Sequence, residues 1–158
     1  MDEHTFGLNG EHFWDGGYMG NPALFPLIYS CKSSDILVVH INPILRPDVP
    51  TTARDIMNRV TEISFNSSLM REMRAVAFVT KLIDDGKLCQ SEAKRMLIHS
   101  ISADDVMCEL GLESRLNADD ELLTRLHNLG RQRAQLWIDG HLKDLGIRST
   151  IDIREIYV

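Results

Sequence analysis

Between Thr52 and Asp85 apolar residues return at intervals of three, four and seven: Ile56, Val60, Ile63, Met70, Met73 and Ala77. That spacing predicts one long amphipathic helix, with Gly86 as its C-terminal stop. Asn66, Ser67 and Ser68 interrupt the pattern and predict a kink or a change of buried face, because short polar side chains compete for backbone hydrogen bonds. Upstream, Asp35–Ile41 is a short β-branched run bounded by Ser33–Ser34 and Asn42–Pro43, which predicts a buried strand of a parallel sheet. Glu11–Trp14 predicts a second strand that delivers Asp15 into a tight turn at Gly16–Gly17. Between the two, Asn21–Tyr29 predicts a short helix with Asn21 as N-cap and Pro22 at its first position. Alternation over Lys94–Ile101 predicts a further strand. Ser102–Asp105 then opens a helix that stops at Leu110–Gly111, and Asn117 caps another running through Leu122, Leu126, Leu129, Leu136 and Leu142 to Gly146.

All five prolines and five of the ten glycines fall in the first fifty residues, and no proline follows Thr51. The chain therefore reads as one α/β domain over residues 1–158, with a strand and loop region at 1–50 and a mainly helical region at 51–158. The strands at His12–Trp14 and Ile36–Ile41 are expected side by side and parallel, with the long helix across one face and helix exceeding strand overall.

Composition narrows the function classes. The 158 residues carry 17 Lys+Arg against 23 Asp+Glu, a formal net charge of −6, and 44% are hydrophobic. Intrinsic disorder is disfavoured, and so is non-specific nucleic-acid binding, which needs clustered cations on phosphates. No apolar run approaches the ~20 residues of a membrane span, and the start at Met1–Asp2–Glu3 is acidic where a signal peptide is basic, so a cytoplasmic protein is expected. Cys31, Cys89 and Cys108 are odd in number and widely spaced, which points to reduced, mostly buried thiols rather than disulfides or zinc. The six histidines show no metal-binding spacing, and neither a metal nor a cofactor is expected.

Candidate chemistry concentrates at Asp15, Gly16 and Gly17. Asp-Gly is a common hairpin signal, but a helix start follows where a hairpin would continue into a strand. The other reading is an acidic group at a strand end, approached closely because glycines leave room. Ser30, Ser33, Ser34, Ser67 and Ser68 lack the strand-to-helix glycine setting of an exposed nucleophile. Cys31 with His12 or His40 is a conceivable thiol pair, set against the ordinary role of a lone cysteine as a small buried residue. His40 and His99 are a ligand or base on one reading and strand histidines with one bonded nitrogen on the other. Arg125, Arg131, Arg133 and His127 form a basic stretch behind Asp119, Asp120 and Glu121, read either as an anion contact or as a solvated helix face.

The block from His12 to Pro22, reading HFWDGGYMGNP, followed by the strand DILVVHINP, resembles the D-G-G block of bacterial patatin-like phospholipases. The segments Glu62–Glu72 and Leu145–Asp152 are similar to that branch's C-terminal region, so the resemblance covers most of the chain. It implies a three-layer α/β fold and a serine-aspartate dyad acting on lipid or carboxyl esters, with Asp15 as the dyad acid and Gly16 and Gly17 as its supporting turn. The family's nucleophile sits in a G-x-S-x-G elbow, which this sequence lacks, and only fourteen residues precede Asp15. The resemblance thus implies the C-terminal part of such a hydrolase, inactive alone and prone to form homo-oligomers, with peripheral membrane contact conceivable. The alternative is a non-catalytic module for dimerisation or for contact with a lipid surface.

Overall fold

A computed structural model describes residues 5–89, 91–110, 114, 117 and 119–158. In chain order these form β1 (Thr5–Leu8), β2 (Glu11–Trp14), α1 (Phe25–Ser30), β3 (Asp35–His40), α2 (Ala53–Asp84), β4 (Leu97–Ser102), α3 (Asp104–Met107), α4 (Asp120–His141) and α5 (Ile153–Tyr157). Single 3-10 turns occupy Gly16–Tyr18 and Leu142–Asp144. The architecture is α/β, and helix exceeds strand as expected. Among the described residues no helix is long and apolar enough to cross a membrane.

The centre is a parallel pair, β3 beside β4, in register from Asp35 opposite Leu97 to His40 opposite Ser102. Paired residues of parallel strands share a face, so the alternation of β3 sorts the contacts. Ile36, Val38 and Ile98 face Leu69, Met73 and Val76 of α2, and Ile153 and Tyr157 of α5 complete that core. On the opposite face His99 meets Trp137 of α4 edge-on, with ring centroids 5.7 Å apart. The expected strand at Lys94–Ile101 begins later, at Leu97, and its residues Leu97, Ile98 and His99 are all buried because both faces are covered there.

The expected pairing of the first strand is wrong. β2 lies antiparallel to β1, and β3 takes β4 as its neighbour. The cause is legible in Asn9–Gly10, both at positive φ (54° and 82°), the backbone a two-residue hairpin turn requires. The short helix starts at Phe25, with Pro26 rather than Pro22 in its first turn, and the Asn21–Pro22 peptide is cis. The backbone ahead of it is held elsewhere: the Asn21 amide donates to Ser68 Oγ at 2.9 Å and the Leu24 amide to Glu72 Oε2 at 2.8 Å.

The long helix matches its expected limits, with Thr52 as N-cap accepting from the Asp55 amide and Gly86 at φ 69° just beyond its end. It runs unbroken through Asn66–Ser68, and its buried face keeps Met73 and Ala77 of the predicted stripe but not the stripe's first half. Ile56, Val60 and Ile63 are about half exposed, whereas Glu62, Asn66, Ser68, Leu69, Met73, Val76 and Ala77 are buried. The polar members of that face serve the loops. Asn66 Nδ2 donates to the Pro43 carbonyl at 3.0 Å. Glu62 receives Arg46 through Nε at 2.8 Å and through Nη2, and Arg59 Nη1 at 3.3 Å. Arg46 Nη1 also bonds the Cys108 carbonyl, tying the end of α3 to the same carboxylate. α3 is one turn long and has no side-chain cap, contrary to the capped helix expected from Ser102; the Leu110–Gly111 stop reaches beyond the described residues at Gly111. α4 starts at Asp120 with Asp119 as N-cap, while Asn117 accepts from the Asp119 amide, so its cap lies two residues later than expected. Gly146 at φ 72° follows the 3-10 turn after α4 and ends that segment.

Burial alone would raise the pKa of Glu62, but the hydrogen bonds and charges of Arg46 and Arg59 outweigh it and hold the carboxyl below its ordinary value. A depressed folded-state pKa means the stabilisation is complete above the unfolded value and disappears as pH falls through the folded one. Glu62→Gln should therefore lower unfolding free energy at pH 7 by about 3 kcal/mol, because two arginines lose a buried partner. Urea titrations at pH 7 and pH 3 should show the gap between wild type and variant closing at the lower pH. An unchanged gap would remove Glu62 as the titrating group.

Candidate functional site

Asp15 ends β2 and caps the 3-10 turn Gly16–Tyr18, its Oδ1 accepting from the Gly17 amide at 2.8 Å. The side chain is exposed. The turn rests on α2 through aromatic contacts: Tyr18 stacks on Phe65 at 5.7 Å, and Trp14 stands edge-on to Tyr18 at 6.1 Å. Gly17 is closely approached, because a Cβ there would lie 3.2 Å from both Phe65 Cε1 and Asp15 Oδ1, and those side chains would have to give way by a few tenths of an ångström. Gly16 has open space around it, so the two glycines of the block are not equivalent. Neither has positive φ; the expected glycine conformation occurs at Gly10, in the β1–β2 turn. Gly20 is a second and closer approach, since its Cβ would fall 2.8 Å from the Ala23 Cβ.

From the turn the chain is laid along α2 almost one helical turn at a time. Phe65 lies under Gly17 and Tyr18, Ser68 holds Asn21, and Glu72 holds Leu24. These three supports were missed as functional residues. Their spacing of three and four along a helix is readable in the sequence, but Ser68 falls within the polar Asn66–Ser68 interruption, which masks it.

The substitute nucleophiles do not gather at Asp15. Ser67 Oγ donates to the Ser64 carbonyl, Ser68 is committed to Asn21 and the Phe65 carbonyl, and Ser33 Oγ accepts from the Asp35 amide. Ser30 closes α1, and the Ser34 carbonyl accepts from the Leu97 amide. Cys31 and Cys89 are exposed and Cys108 is half-buried, so the thiols form no disulfide among the described residues but are not mostly buried as expected. Cys31 sits in the loop after α1 where no core reaches it; burial pushes the Cys108 thiol up.

The histidines take structural positions that differ from the single-bond expectation. His99 is fully buried and bonded at both nitrogens, Nε2 to Asp35 Oδ1 at 3.0 Å and Nδ1 to Thr150 Oγ1 at 3.1 Å. Asp35 also accepts from the Gly146 amide at 2.8 Å, and that bond, with His99, keeps its carboxyl below the ordinary value although partial burial pushes it up. The chain Asp35–His99–Thr150 thus fastens the segment after α4 to the sheet, helped by Ser149 Oγ on the Ile98 amide. His40 is buried with Nε2 unbonded, and its Nδ1 lies 3.9 Å from Asp104 Oδ1, too far for a hydrogen bond. Along α4, Arg125, His127 and Arg131 are exposed, and Arg125 and Arg133 pair with Glu109 and Asp105. That is a solvated helix face. Among the described residues no group of three or more His, Cys, Asp or Glu is placed to hold a metal ion.

The chain matches no family model, no curated protein and no solved structure.

Proposed function

We propose that the chain is the aspartate-bearing part of a patatin-like serine acyl hydrolase, with a three-layer fold, that cleaves lipid or carboxyl esters in the cytoplasm or at a membrane surface. The observation that carries this reading is the presentation of Asp15. It stands exposed at a strand end, with one oxygen held by the Gly17 amide and the turn backed by Phe65, which leaves the second oxygen for an incoming hydroxyl.

In this reading the nucleophilic serine comes from residues outside the present sequence, which contains no G-x-S-x-G. Asp15 takes the serine proton as the oxygen attacks the ester carbonyl carbon, and returns it to the departing alkoxide. Water then repeats the attack on the acyl-serine, giving its proton to Asp15, which passes it to the departing serine oxygen as the carboxylic acid is released. No cofactor takes part. The chain alone should not hydrolyse a chromogenic short-chain ester above background, and the same residues joined to a nucleophile-bearing segment in one reading frame should. Asp15→Asn in that longer protein should cut turnover by about a hundredfold to ten-thousandfold, the worth of a positioned general base. Serine-inhibitor-sensitive hydrolysis by the 158-residue chain, or full activity of the Asn variant, would contradict this.

A separate observation favours association. Ile56, Met57, Val60 and Ile63 form an exposed apolar stripe on the first half of α2. Leu37 and Val39 are exposed on β3, whose outer edge has no strand neighbour among those described. Unpaired edges and apolar stripes promote self-association or contact with a lipid surface. Light scattering should report a homo-oligomer at working concentration, and Val60→Glu should shift it toward monomer. A clean wild-type monomer that also fails to sediment with vesicles would count against both forms of association.

A further inference from the structure

An apolar cavity of about 150 Å³ opens between α1 and α2, away from the D-G-G turn. Phe25, Ile28 and Tyr29 wall it on the α1 side, Val76 and Val79 on the α2 side, and Met96, just ahead of β4, also lines it. Phe25 and Tyr29 are 56% and 84% exposed, so two aromatic rings stand at its mouth in water. An apolar cavity of about that volume accepts a benzene-sized, six-carbon group.

Two charges flank it. Lys94 Nζ donates to the Cys31 carbonyl at 2.6 Å and to the Ser33 carbonyl at 3.0 Å. An ammonium has three donors, so one remains, and both partners are neutral carbonyls that leave its charge uncompensated. No carboxylate lies within ion-pair distance of it among the described residues. Glu72 lines the other side with Oε2 committed to the Leu24 amide. Its negative charge repels an anion near α2, which leaves the Lys94 side as the place for one.

From this arrangement we infer that the cavity is a binding site for a short aliphatic carboxylate of about six carbons, the tail between α1 and α2 and the carboxylate on the Lys94 ammonium. The site uses none of the residues of the D-G-G turn and stands whether or not the hydrolase reading does. Tail burial supplies the affinity, and the oriented cation selects an acid over an alcohol of the same length.

Calorimetric titration of the 158-residue chain with sodium hexanoate and with hexan-1-ol tests it. Hexanoate should bind more tightly than hexanol. Lys94→Met should weaken hexanoate by about tenfold, the worth of one charge-assisted contact, while hexanol is unaffected. Lys94 also braces two carbonyls, so a second variant guards against misfolding. Val79→Phe fills the cavity from the α2 side and should abolish binding of both compounds with the circular dichroism spectrum intact. Failure of hexanoate to bind the wild type, or unchanged binding by folded Val79→Phe, would overturn the site. Tighter binding of leucine or phenylalanine than of hexanoate would place an ammonium on Glu72 and overturn the assignment of a simple carboxylate.

Discussion

The rest of the structure depends on the polar side chains that α2 keeps on its buried face. A proline- and glycine-rich stretch forms few ladders of its own, so its backbone amides and carbonyls need partners once the core excludes water. α2 supplies them: Ser68 for Asn21, Glu72 for Leu24, Asn66 for Pro43, and Glu62 for the Arg46 side chain that in turn binds Cys108. The apolar members of the same face, Leu69, Met73 and Val76, pack on the sheet. One helix thus does two jobs with one face, at the cost of an exposed apolar stripe in its first half.

The same constraint places the D-G-G turn. Its position follows from Phe65 beneath Gly17 and from the two anchored amides downstream. A Cβ at Gly17 would press on the Phe65 ring and the Asp15 carboxylate by a few tenths of an ångström, a crowding that does not extend to Gly16. At the other side of the sheet the chain from Asp35 through His99 to Thr150 performs the equivalent fastening for the segment that leads into α5.

Regular elements were legible wherever a single period ran uninterrupted. The limits of the long helix followed from Thr52 and Gly86, and the buried strand from Asp35 onward followed from its β-branched run. The buried face of α2 was legible in its second half, at Met73 and Ala77, but not in its first. A search for apolar periodicity selects Ile56, Val60 and Ile63, whereas the covering loops select Glu62, Asn66 and Ser68, and only tertiary context says which face they cover. The β1–β2 hairpin has a local signal in Asn9–Gly10, which competes with the similar Asp15–Gly16 pair, and only the first carries the positive φ. Of the candidate site, Asp15 and its glycines were visible as a motif. Their supports were not, because a serine and a glutamate on a helix look like surface until a loop is laid over them.

Native-state amide hydrogen exchange tests the anchoring directly. If α2's polar side chains hold the loop, the Asn21 and Leu24 amides should exchange as slowly as those of the α2 core around Met73, although neither belongs to a helix or strand. Exchange of both at unprotected rates, with Ile98 still protected in β4, would mean that the loop opens independently of the helix and would contradict the account.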